Sequence, residues 1–323
     1  MKVGWRGTLR SINAATKAAA REAERRHKAD LKQQISQSAA EDVENWKHYL
    51  TALMSVHTNL AEKIDWQKLG SAPQPVKPID TSQQQAKAQA ALSSFKPGLI
   101  TKLMGNVAAK TEALARDVES AKAEDDRRNS ERYLAYMEEL SEWERDTKFA
   151  KDILAGDDTT IIEVIKEYQS ITDEGLIGNE IGFGVESGLV SAFVQCHTDE
   201  IIPNFRRKQL ASGKLSETKM PKGEFNEIYQ DYVASVAIRL AGDLFQMLPV
   251  TETIVTCATS MLNSSTGHKE VSPILSVHFV RSSFEQLNLK HIDPSDALSN
   301  FRHNMVFKRT KGFSVVEEIQ KVV

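Results

Sequence analysis

The chain has 323 residues, enough for about two domains, with 41% hydrophobic residues, 26% charged residues, 7% aromatics and a formal net charge of −3. That balance excludes a global electrostatic attraction to nucleic acid or to a membrane, so any such attraction must be local. Two cysteines, Cys196 and Cys257, do not make a disulfide framework, and no run approaches the roughly 18 consecutive apolar residues of a membrane span. The N-terminal MKVGWRGTLR has no apolar core behind it, and these features together predict a cytoplasmic protein with no membrane partner.

Composition changes near residue 156. Ala, Glu, Lys, Arg and Gln dominate before it, and Gly, Val, Ile, Thr and Phe rise after it. The expected fold class is α+β. A helical hairpin is expected over 1–70, a proline-containing linker over 71–80 and a long coiled-coil arm over 81–156. A globular α+β domain follows over 157–323, with a small, mostly antiparallel sheet and one long packed helix.

Residues 8–35 read as a helix of strong formers whose apolar positions are small (Ala15, Ala19, Ala20, Ala23). After it, Val43, Trp46, Leu50, Leu53, His57, Leu60 and Ile64 alternate spacings of three and four, a heptad seam that predicts one helix facing another. Each Leu or Val fully buried there contributes roughly 1.5–3 kcal/mol. His57 on the seam reads as a packed, hydrogen-bonded histidine rather than a ligand or pH switch. GSAPQPVKPID, with three prolines, reads as extended linker, and 81–94 as a short Gln/Ala helix. Leu99, Ile100, Leu103 and Met104 suggest a small docking patch. A helical run over 106–155 has a middle, AEDDRRNSER, with no apolar face, and then Leu134, Met137, Leu140 and Trp143, read as a resumed seam. This arm is expected to make a homodimer or to dock another protein. Gly156 ends it, and Asp158 or Thr159 is expected to cap the next helix.

Farther on, SGLVSAFVQCHT, TETIVTCATSML and SPILSVHFV read as strands, the last two joined as a hairpin. Pro221 stands where a helix N-terminus tolerates proline, and 223–247 is apolar around well over half its circumference. Asp293 and Pro294 follow N-cap and N1 order.

Few constellations could carry chemistry. Glu217-Thr218-Lys219 has the acidic-x-Lys spacing of a class of metal-dependent nucleases and would need an upstream acid, for which Asp199 is the candidate. Its neighbours, GKLS and MPKG, favour a charged loop that aims the long helix, so no catalytic residue is assigned and Asp199, Glu217 and Lys219 remain the alternative. Glu224, Glu227 and Asp231 share a helix face that Ser235, Arg239 and Asp243 continue, read as the solvated stripe of that helix. Cys196, His197, Cys257 and His278 lack a zinc spacing, and the cysteines read as buried. GNEIGFGVESG lacks the lysine of a phosphate loop. No cofactor and no metal are expected. Two basic clusters remain, one containing Arg21, Arg25, Arg26 and Lys28, the other Arg302, Lys308, Arg309 and Lys311 among Phe301, Phe307 and Phe313. Basic residues interleaved with aromatics suit phosphate contact and base stacking.

MPKGEFNEIYQDYV, LFQMLPV, ILSVHF and IDPSDALSNFRHNM resemble segments of uncharacterised bacterial proteins with a helical N-terminal half and a mixed α+β C-terminal domain. The resemblance implies this two-part architecture and carries no activity with it. The leading expectation is a non-enzymatic scaffold or interaction protein acting through its coiled coil. The alternative is nucleic-acid binding or processing, for a mobile element or phage defence, through the two basic clusters.

Overall fold

The computed structural model describes residues 39–98, 107–171, 175–186, 188–211 and 215–320. The protein is α+β. Helix α1 spans Ala39–Met54, α2 Trp66–Gly70, α3 Gln83–Ser94, α4 Val107–Leu154 and α5 Asp158–Ile171. Strands β1 (Glu180–Glu186), β2 (Leu189–Gln195), β3 (Phe205–Gln209) and β4 (Leu215–Lys219) precede the long α6, Lys222–Met247. Then come β5 (Glu252–Leu262), β6 (Lys269–Val280), the one-turn helices α7 (Arg281–Phe284) and α8 (Pro294–Ala297), β7 (Arg302–Lys308) and β8 (Gly312–Ser314). Two compact units result, one of residues 1–67 with 149–323, the other of residues 68–148.

In the first unit, six strands form one sheet in the order β1-β2-β5-β6-β7-β8, and β3 and β4 form a separate two-stranded ribbon. Every pairing in the large sheet is antiparallel except β2 with β5. A parallel neighbour needs a long crossover, and α6 supplies it. The β5–β6 pairing shifts register at Cys257/Ala258, where Ala258 faces Pro273. A proline cannot donate to the ladder, and a bulge is where a sheet accepts one.

Helix α6 lies at the centre. Eighteen of its residues are buried, including Tyr232, Ile238, Leu240 and Leu244. A helix buried nearly all round must be covered on several sides. One cover is the sheet face of Val255, Cys257, Leu275, Val277 and Phe279. Another is the segment that was expected to continue the first heptad helix. The helix instead stops at Met54, and residues 57–64 run along α6. His57 N–H donates to Ser235 Oγ (3.0 Å), Ala61 N–H to Asp243 Oδ1 (2.7 Å) and Ile64 N–H to the Gln246 carbonyl (2.9 Å). Leu60 lies so close that a Cβ at Gly242 would fall 2.5 Å from its Cδ2. The apolar spacing of 43–64 was therefore a burial signal for two kinds of backbone. The partner expected for it, helix 8–35, lies outside the described residues.

Arg281 closes the C-terminal end of α6. Its guanidinium donates to the carbonyls of Phe245 (2.8 Å), Leu248 (2.5 Å) and Val250 (2.7 Å) and stacks on the Phe245 ring, 4.8 Å from its centroid. On the opposite sheet face the C-terminal segment is tied down by Val316 N–H to the Pro273 carbonyl and Ile319 N–H to Ser276 Oγ, both 3.0 Å. There Ile319 packs with Leu189 and Ile254.

In the second unit, residues 72–85 run antiparallel to α4. Trp143 Nε1 donates to the Ala72 carbonyl (2.8 Å), Lys77 sits 5.6 Å over the Tyr133 ring, Asn129 exchanges two hydrogen bonds with the backbone of Thr81, and Gln85 N–H donates to Asp125 (2.8 Å). At a rise of 1.5 Å per residue α4 extends about 72 Å. Gly156, with φ 78°, terminates it. The cap of α5 is Asp157, one residue before the expected pair, and its carboxylate accepts from Thr160 N–H (2.8 Å). Hydrogen bonds from the hydroxyls of Thr159 and Thr160 hold its pKa down at about 2.

Candidate interaction surfaces

The polar stripe of α6 is not a solvated face. Its first turns are partly exposed, but Ser235 and Asp243 are fully buried and Arg239 is 8% exposed. Asp243 accepts from Arg239 Nε (2.7 Å), the Tyr168 hydroxyl (2.8 Å) and Ala61 N–H (2.7 Å). Two helical turns before Asp243, Ser235 meets His57. His57 Nε2 lies 2.9 Å from the Leu289 carbonyl, which can only accept, so Nε2 carries the proton. Nδ1 therefore accepts from the Ser235 hydroxyl at 2.7 Å. Burial lowers the His57 pKa, which keeps this neutral tautomer. The stripe is polar because the segment laid over it, residues 57–61, brings polar backbone that needs partners. Asp231, between the exposed and buried parts, has its pKa pushed up to about 6, chiefly by burial and further by Asp293, Asp296 and Glu227, against a hydrogen bond from Ser295.

The acidic-x-Lys triplet lies on β4, not in a loop. Strand β4 pairs antiparallel with β3 in the register Phe205↔Lys219, Arg207↔Glu217 and Gln209↔Leu215. Alternation puts Glu217 and Lys219 on one face. Glu217 accepts from Arg207 Nε at 3.2 Å, and Arg207 stacks on Phe205. The ribbon owes its strands to packing: Trp46 Nε1 on α1 donates to the Phe205 carbonyl (3.1 Å), an anchor far away in sequence. Asp199 lies in a one-turn 3-10 helix, Asp199–Ile201. Among the described residues no group of three or more His, Cys, Asp or Glu could hold a metal ion. Cys196 and Cys257 are buried thiols, His197 bonds the Gly175 carbonyl (2.7 Å), and His278 bonds Glu252 (2.7 Å).

Of the basic residues singled out in the sequence, Arg21, Arg25, Arg26 and Lys28 lie outside the described residues. Arg302 and Lys308 stand on the exposed side of β7, and Arg309 and Lys311 in the turn to β8. The interleaved aromatics point the other way. Phe301 and Phe313 are buried, Phe313 packs edge-on against Tyr229 (5.7 Å between centroids), and Phe307 packs on Phe313 (5.3 Å). The pleat explains both, since neighbours along a strand face opposite sides. Phe301 and Phe313 fill the core and are not available to stack on bases, and Phe307 is half-buried against Phe313.

The β7–β8 turn docks on the first turns of α6. Asn226 Nδ2 donates to the Arg309 carbonyl (2.7 Å), Arg309 Nε pairs with Glu227 (2.8 Å), and the Arg309 stem covers Gly223, where a Cβ would meet it at 3.0–3.5 Å. From the other side Arg206 of β3 pairs with Glu224. Ribbon, helix start and turn, far apart in sequence, thus meet at one corner. Lys219, Lys222, Lys308 and Lys311 all stand exposed around it. In the sequence these groups stand apart, because nothing local signals the docking of Arg309 on Gly223.

In the second unit, Leu134, Met137, Leu140 and Trp143 do not form one seam. A spacing of three falls short of a turn by about 60° per step, so Leu134 and Trp143 end on opposite sides. Trp143 lies under the 72–85 strap, whereas Leu134 is 68% exposed and Met137 43%. No helix of the described residues is long and apolar enough to cross a membrane. No protein-family model, curated protein or solved structure matches the chain.

Proposed function

We propose that the protein is an interaction scaffold rather than an enzyme, and that its helical unit associates with a second copy of itself through the uncovered face of α4. The observation that carries this reading is that face: Leu134 and Met137 stand on it, exposed, while the opposite face is covered by the chain's own 72–85 segment. The pattern around the two residues is self-complementary. An antiparallel pairing centred between them would set Leu134 of one copy on Met137 of the other. It would also oppose the small Ser130 and Ser141, Arg127 and Glu144, and Arg145 and Asp126. Apolar contacts at the centre with opposite charges flanking them are what fixes orientation in helix pairs.

Light scattering over a wide concentration range tests it. The expected result is a concentration-dependent dimer that Leu134→Glu with Met137→Glu abolishes while the far-ultraviolet circular dichroism is unchanged. A wild-type chain that stays monomeric throughout overturns the proposal, and so does a variant that dimerises as well as the wild type.

A further inference from the structure

The corner where ribbon, α6 and the β7–β8 turn meet has an uneven division of charge. Its three arginines are committed: Arg206 to Glu224, Arg207 to Glu217 and Arg309 to Glu227. Each of these pairs cancels locally and holds one element against another. The lysines are different. Lys219 at the end of β4, Lys222 at the start of α6, and Lys308 and Lys311 flanking the docked turn are all exposed, and none forms an ion pair among the described residues. The corner's uncompensated positive charge therefore resides on four solvated ammonium groups that come from two parts of the chain some ninety residues apart, mounted on a framework of ion pairs and the Asn226–Arg309 hydrogen bond, and bounded beyond Glu227 by the acidic Asp231, Asp293 and Asp296.

We propose that Lys219, Lys222, Lys308 and Lys311 form a sequence-independent contact surface for the phosphate backbone of nucleic acid. The composition of the corner selects that partner. The aromatic rings of Phe301 and Phe313, which would anchor a protein partner or enter a lipid interface, are buried. Apart from Val306, 49% exposed beside Lys308, what faces solvent is point charge, which neutralises phosphates by displacing counterions and reads no base. The surface differs from the α4 face in residues, unit and chemistry, so the two proposals stand or fall separately.

The test is fluorescence anisotropy of the full chain with a labelled duplex and a labelled single strand of the same sequence. Four neutralised phosphates give a log–log salt slope of about −3.6 on duplex and about −2.8 on single strand. Replacing the four lysines by glutamine is expected to weaken binding at least tenfold and to flatten the slope nearly to zero. The control replaces four exposed lysines elsewhere, Lys151, Lys166, Lys269 and Lys290, with the same loss of charge. It is expected to bind as the wild type does. Equal loss in the control, no loss in the corner variant, or no binding at about 50 mM salt each overturns the proposal. Binding to vesicles of anionic lipid with none to either oligonucleotide overturns it as well.

Discussion

Helices α4 and α6 both carry long stretches of charged and polar side chains at helical spacing, and the fold treats them in opposite ways. In the middle of α4, Glu124 pairs with Arg127 (2.9 Å) and Arg128 (2.7 Å), and Arg127 with Glu131 (2.6 Å), all within the helix and in water. In the second half of α6, Arg239, Asp243 and Ser235 are enclosed, and their partners outside the helix come from residues 57–61 and Tyr168, with His57 held in turn by the Leu289 carbonyl. The first arrangement links residues three or four apart and needs no tertiary structure. The second contains one such pair, Arg239 with Asp243, but is completed only when distant segments are already in place. A polar stripe is thus no evidence of solvent, and what decides is whether some other segment brings groups that need those partners.

The largest expected effect comes from breaking the enclosed network. Asp243→Ala removes an acceptor of three hydrogen bonds and leaves the Arg239 guanidinium buried without its partner. Losing one member of a buried pair typically costs about 3–5 kcal/mol, and urea denaturation should show a loss of that order. The double change Asp243→Leu with Arg239→Met is expected to be less harmful than Asp243→Ala alone, because no charge is then stranded. If the double variant were the worse of the two, the pair would be contributing net attraction beyond its own desolvation.

A smaller effect of opposite sign is expected at Asp231, on the same helix where the stripe turns from exposed to buried. Its pKa is pushed up to about 6 from an ordinary 3.8. The folded state therefore holds the proton more tightly than the unfolded state. Stability falls as pH rises from about 4 to about 6 and is level above that. Asp231→Asn should stabilise the protein at pH 7, with the advantage gone below about pH 4. A shift of this size corresponds to about 3 kcal/mol for an enclosed group, and partial solvation of Asp231 reduces the expectation to about 1 kcal/mol. Denaturation midpoints of the two proteins across pH give the answer directly, and a gap that widens in acid would reverse the assignment.

How far the sequence discloses these things depends on the range of the cause. Helix α3, the length of α4, the Asp293 cap on α8 and the crossover helix α6 are legible because propensity, capping and periodicity are local. So is the α+β class with its mostly antiparallel sheet. The heptad spacing of residues 43–64 correctly signals burial and wrongly implies one helix, since the His57–Ser235 and Ala61–Asp243 contacts lie in sequence separations no pattern reports. The β4 strand is hidden for the same reason: its turn-rich neighbours dominate the local signal, while the Trp46 anchor on β3 is more than 150 residues away. In the second basic cluster the residue types are legible. Which are free and which are structural is not, because Arg309 is claimed by Glu227 and Gly223 only after the β7–β8 turn docks.

The smallest expected effect completes the comparison from the side of α4. Glu124 is the hub of that helix's exposed ion pairs, and its hydrogen bonds from Arg127 and Arg128 lower its pKa. By proximity alone it resembles Asp243, with two guanidinium partners within 3 Å. Yet it stands in water, where attraction is screened and two long side chains lose freedom by holding one geometry. Glu124→Gln should leave the urea midpoint indistinguishable from that of the wild type at moderate salt. Any change at low salt should disappear as salt is added, whereas the loss in Asp243→Ala should persist because its charges are shielded from ions. A Glu124 effect that survives high salt would mean that its ion pairs are enclosed and not held in water.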